Sequence, residues 1–126
     1  MMKWIAAMTA AMVIGTGAPA LAQESPNLSP AYINCMSRAG SNTVQSGVCT
    51  QREAAIQDDR LNKAYQQVMR QLASRPAVKT ALRDQQRRWI RERDYSCKIN
   101  GDTIDTGCIV TKTALRADQL ERQVRF

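Results

Sequence analysis

Four cysteines, Cys35, Cys49, Cys97 and Cys108, all lie downstream of a segment that reads as a secretory leader. No other feature constrains the fold as much. An exported chain meets an oxidising compartment where thiols pair. The four therefore read as two disulfides rather than as a metal site or a nucleophile. A domain this small is near the size at which a core alone is only marginally stabilising. Two cross-links closing loops of roughly 10 to 15 residues would each add about 3 kcal/mol in the chain-entropy account.

The leader is built from Met1-Met2-Lys3-Trp4, an apolar run from Ile5 to about Ala18, and Ala20-Leu21-Ala22 before Gln23. That is the charge, apolar core and small-x-small order of a signal-peptidase substrate. Residues 1–22 are expected to be a cleavable signal peptide, with a periplasmic or secreted product and no stable membrane insertion after cleavage. A retained N-terminal anchor is the competing reading, but the apolar run is short for a span. No cysteine follows the cut, so no lipid anchor is expected. Cleavage removes one of the 18 Lys and Arg and none of the 11 Asp and Glu, so the formal charge falls from +7 to +6.

The remainder reads as a flexible lead-in over 23–29 and one helical domain over 30–126. Ser29-Pro30 opens a short helix that Gly40 closes. A long helix follows to about Ala73. It starts either at Asn42 or Thr43, or at the Thr50-Gln51-Arg52-Glu53 capping box. Ile56, Leu61, Tyr65, Val68 and Leu72 give it an apolar face, with Asp58, Arg60, Lys63 and Arg70 mostly opposite. Ser74-Arg75-Pro76 breaks the chain. A third helix runs from about Pro76 to Cys97 on a seam of Val78, Leu82, Gln85, Trp89 and Glu92. The short turn predicts that the second and third helices pack antiparallel. After the polar loop 98–107, a last helix carries Cys108, Leu115 and Leu120 to about Val124. Period-two alternation is missing, so the fold class is all-α: a small disulfide-stapled bundle of one short and three longer helices.

Local pairing, Cys35 with Cys49 and Cys97 with Cys108, needs the fewest assumptions. Cys49–Cys97 is the rival, because antiparallel packing would bring those helix ends together. Structural zinc favours C-x₂₋₄-C knuckles, whereas here the gaps are 14, 48 and 11 positions. No metal or cofactor is expected. The chain has no histidine, which removes the commonest general base and every Ser-His or Cys-His pair. Glu53 and Glu92 are the remaining acid–base candidates, but each is expected to meet one of the many arginines. No catalytic residue is assigned. Asn100-Gly101-Asp102 and Asp105 read as a turn and helix cap rather than a calcium loop. Arg83, Arg87 and Arg91 share a helical stripe that reads as a solvated face or as a contact for an anionic partner; nucleic acid is not expected of an exported chain.

One ordered set of residues remains: Cys35 and Cys49; Asp58, Leu61-Asn62 and Tyr65 in a D-x-x-L-N-x-x-Y block; Gln86, Trp89, Arg93, Asp94 and Cys97 in a Q-x-x-W-x-x-x-R-D-x-x-C block; then Cys108, Thr113, Arg116 and Leu120. Together they resemble the lysozyme-inhibitor LprI-type family of small exported proteins, over about residues 33 to 122. The resemblance implies a compact helical domain with disulfides and a protein partner, a lysozyme-type enzyme that the domain would bind and inhibit. Against a basic partner, a basic chain needs a local acidic patch, and Asp102 with Asp105 is the acidic cluster outside the helices. An envelope scaffold or a binder of anionic surfaces is the other reading. Within the blocks, Trp89 and Tyr65 are expected to form the bulk of the core, with Leu61 supporting them. Arg93 or Arg116 is expected to pair with Asp58, Glu92 or Asp94 and so fix helix register.

Overall fold

The structure, a computed structural model, describes residues 26–125. The expected leader over 1–22, the first residues of the lead-in and Phe126 lie outside them.

Four helices are separated by local signals that the chain states plainly. Helix α1, Pro30–Ala39, is capped by Ser29, whose Oγ accepts from the Tyr32 N–H at 3.1 Å. Gly40 ends it at φ 54°, a backbone state that L side chains rarely adopt. Helix α2, Thr43–Gln71, takes the earlier of its two possible starts. Asn42 caps it by accepting from the Gln45 N–H at 3.0 Å. Helix α3, Pro76–Ser96, begins on its proline. Helix α4, Thr106–Gln123, is capped by Asp105, which accepts from the Gly107 and Cys108 N–H groups.

The disulfides are Cys35–Cys49 and Cys97–Cys108, with Cα atoms 5.7 and 5.5 Å apart. The local pairing holds and the Cys49–Cys97 rival falls. Each bridge closes one helix–helix connection, the first between α1 and α2 and the second between α3 and α4. Among the described residues there is no strand, and a lone bridge pairs Lys98 with Ile104.

Helix direction follows from the cross-helix contacts. Arg60 meets Asp118 and Gln71 meets Arg125, so α2 and α4 run parallel. Gln86 meets Arg116 and Arg93 meets Thr113, so α3 runs against α4. The expected opposite sense of α2 and α3 therefore holds, and they meet through side chains, Leu82 of α3 joining Leu61, Ala64 and Val68 of α2 in one core. The close neighbour of α2 is α4. Side-chain size explains the difference. Ala64 on α2 and Ala114 and Ala117 on α4 are buried and let the backbones approach, whereas α3 presents Gln86, Trp89 and Arg93 to the core.

The core is Leu61, Ala64, Val68, Leu82, Ala117 and Leu120. Tyr65 and Trp89, expected as its bulk, pack at its edge together with Met69, Leu72 and Val124. Helix faces are also rotated from the apolar pattern. The buried stripe of α2 is Glu53, Gln57, Leu61, Ala64 and Val68, while Ile56 is exposed. On α3, Leu82 and Gln86 are buried and Trp89 and Arg93 half-buried, whereas Val78, Gln85 and Glu92 face solvent. Polar residues with partners elsewhere in the fold displaced apolar ones at these positions.

Candidate functional site

Three polar assemblies sit on this frame. The first anchors the chain entering the domain. The Ser29 N–H and Oγ donate to Glu53 Oε2 at 3.0 and 2.9 Å. Gln57 Nε2 and Arg60 Nη1 donate to the Asn27 carbonyl at 3.0 and 3.2 Å. The Asn27 N–H and Nδ2 donate in turn to Asp118. Arg60 also joins Asp118 and, at 2.6 Å, Glu121. The hydrogen bond to Glu121, with Asp118 adding and burial opposing, holds the Arg60 guanidinium above its ordinary pKa. Residues 26–29, expected to be flexible, are tied down by this network. Glu53 takes Ser29 and Gln57 as partners in place of the expected arginine. Glu92 lies exposed on α3. Arg60, Asp118 and Glu121 were not legible as a group, because Arg60 falls on the polar side of the apolar pattern. The one usable signal was Glu53 and Gln57 in helical step with Leu61.

The second assembly lies between α3 and α4 and gathers much of the motif. The Arg116 Nε donates to Gln86 Oε1 at 2.9 Å, and its Nη1 to Gln119 Oε1 at 3.3 Å. Arg93 Nη1 donates to Thr113 Oγ1 at 3.3 Å. Both guanidinium groups lie over the Trp89 ring, 5.2 Å from its centroid for Arg93 and 5.9 Å for Arg116. A cleft of about 340 Å³ opens beside them, lined by Trp89, Glu92, Arg93, Lys112, Arg116 and Gln119 among others. Arg116 is 7% exposed, and burial lowers its pKa. Of the two arginines expected to meet a carboxylate, Arg93 pairs with Asp94 at 2.9 Å. Those residues are neighbours on one helix, so that ion pair does not fix register. The Arg93–Thr113 and Arg116–Gln86 hydrogen bonds do. Of the other motif residues, Leu61 and Leu120 enter the core, while Asp58 and Asn62 stay exposed on α2 and join neither assembly.

The third is the loop closed by Cys97–Cys108. The Asp105 N–H bonds the Cys97 carbonyl at 2.8 Å and the Ile99 N–H bonds the Thr103 carbonyl at 2.9 Å. The Thr103 N–H bonds the Asn100 carbonyl at 3.1 Å across a tight turn with Gly101 at φ 60°. Asp105 is engaged as the α4 cap, and Asp102 stands exposed at the tip. At the end of α3 Tyr95 is 78% exposed, and in the loop Ile99 is 59% and Ile104 46% exposed. Sequence periodicity concerns helices and so passed over Ile99 and Ile104, and Tyr95 lies off the apolar seam of α3.

Arg83, Arg87 and Arg91 are exposed along α3. A larger cleft of about 730 Å³ lies at the opposite end of the bundle, between Val68, Leu72, Val78 and Leu82, with Arg75, Arg88 and Arg125 around it. Among the described residues no cluster of Cys, Asp and Glu could hold a metal ion, and no helix is long and apolar enough to cross a membrane.

No match was found among curated proteins or among solved structures. The family described as lysozyme inhibitor LprI matches residues 35–120, from the first cysteine through the buried Leu120 of α4. That span takes in both disulfides, the core and the Trp89 assembly, and the chain accordingly belongs to the lysozyme inhibitor LprI family.

Proposed function

We propose that this protein is exported, loses residues 1–22, and acts without catalysis by binding a lysozyme-type lytic enzyme and blocking it. The observation that carries this reading is the loop between Cys97 and Cys108. Exposed aromatic and aliphatic side chains grouped on a surface mark protein contact sites, and aromatic residues supply much of the binding energy at such sites. Here Tyr95, at the end of α3, and Ile99 and Ile104, in the loop, are exposed beside the segment whose tip carries Asp102. The disulfide and the cross-loop hydrogen bonds hold the segment in one shape before any partner arrives, which reduces the ordering cost of binding. Asp102 supplies the negative charge that a basic enzyme would meet on an otherwise basic chain.

The test is cell-wall hydrolysis by several lysozyme types in the presence of the purified oxidised protein. Micromolar protein is expected to slow at least one of them, and Ile99→Asp to abolish the effect with helicity unchanged. No slowing of any lysozyme would sink the proposal. A second reading, an envelope scaffold on anionic surfaces, is supported by the exposed row of Arg83, Arg87 and Arg91 on α3. It requires binding to acidic lipid or polymer that falls steeply with salt.

A further inference from the structure

We infer that the cleft between α3 and α4 is a carboxylate-binding site, with Arg116 and Lys112 as the groups that receive the anion. The inference is independent of whether a lysozyme is the partner.

Three arginines among the described residues, Arg60, Arg93 and Arg116, are drawn into the protein, and they are treated differently. Arg60 is matched by two carboxylates, Asp118 and Glu121. Arg116 is more deeply placed, at 7% exposure, and meets only the neutral oxygens of Gln86 and Gln119 and the face of Trp89. Its Nη2 is buried and has no hydrogen-bond partner among the described residues. A buried guanidinium left without a counter-charge is costly, and native folds supply the partner from within or from a ligand. Among the described residues no carboxylate is paired with it. Arg93 shares the Trp89 ring but has Asp94. Lys112, one turn before Arg116 on α4, lines the same cleft, and Glu92 is the one acidic residue on its wall. A volume of about 340 Å³ admits the end of an acidic side chain or a small organic acid. The Trp89 ring offers an apolar wall for its stem. A carboxylate is the anion whose geometry suits the guanidinium fork.

The site carries its own reporter. Of the two tryptophans Trp4 lies in the leader, so in the protein purified from residue 23 onward Trp89 emission reports the cleft alone. The oxidised protein would be titrated at fixed ionic strength with N-acetylglutamate methylamide and with a short glutamate-containing peptide. The matching glutamine compounds serve as neutral controls. A saturable change is expected with the acids and none with the amides. Arg116→Gln should weaken binding by about tenfold or more, and Arg38→Gln, exposed on α1, should leave it unaltered. Should Arg116→Gln fail to fold, Lys112→Gln, at the cleft wall, is expected to weaken binding by a smaller factor in a folded protein. Tighter binding of the peptide than of the free acid would assign the carboxylate to a protein partner. Equal affinity would assign it to a small acid, and either outcome supports the site. No saturable change, an equal response to the amides, or affinity unmoved in both variants would overturn it.

Discussion

Asp118 illustrates how much one side chain can carry in a small domain. It is 7% exposed and receives the Asn27 N–H, the Asn27 Nδ2 and the Arg60 guanidinium. Removing a buried acceptor that serves several donors leaves each of them unpaired, and losing one member of a buried ion pair strands the other charge. Asp118→Ala is expected to lower stability by about 3 kcal/mol, read as a shifted urea midpoint at unchanged slope. It should also release residues 26–29, so that limited proteolysis cuts before Pro30 in the variant and not in the parent. The Trp89 assembly works by a different balance. There the arginine charges are met by a ring face and amide oxygens, and the outcome is an unused donor at Arg116 rather than a closed network.

At the level of helices, the connections are set by short signals whose physics is local. Gly40 is an example: at φ 54° with open space around it, any side chain would cost backbone strain and no clash. Gly40→Ala should therefore destabilise by about 1 kcal/mol, visible as a fall in the thermal midpoint with both disulfides intact. Local signals of this kind made the helix boundaries readable. Ser29-Pro30, Asn42, Pro76 and Asp105 each act on their own first turn. Helix pairing was less readable, because it depends on residues far apart in sequence. Ala64, Ala114 and Ala117 look unremarkable one at a time and matter only when they meet. Glu53 was expected to meet an arginine and Gln57 carried no expectation, although their partners Ser29 and Asn27 make burial possible. The motif blocks contain Gln86, Trp89, Arg93, Thr113 and Arg116, which the fold brings together. They could not show that Asp58 and Asn62 would fall outside this assembly, nor that Tyr95, Ile99 and Ile104 would be exposed in and beside the loop.

Over the whole molecule, the two disulfides close loops of similar length, with separations of 14 and 11 residues. The chain-entropy account gives them similar weight, about 3 kcal/mol each. They should nevertheless differ in function. Replacing Cys97 and Cys108 by serine loosens the loop that bears Ile99 and Asp102, whereas replacing Cys35 and Cys49 does not touch it. Both double variants are expected to lose comparable stability in urea, and only the first to lose the proposed lysozyme inhibition at a temperature where each remains folded. Both bridges are local, and this has a further result for the covalent structure. Neither crosses the turn at Ala73, Ser74 and Arg75, which is exposed and is the sole described backbone link between α2 and α3. The protein is therefore two cross-linked helical hairpins, each covalently complete, joined by one accessible strand of backbone. A single peptide cleavage there would leave a noncovalent heterodimer whose halves stay together through the seam of α2 and α4, the packing of Leu82 in the core and the bonds from Asn27 to Asp118, and could exchange between molecules.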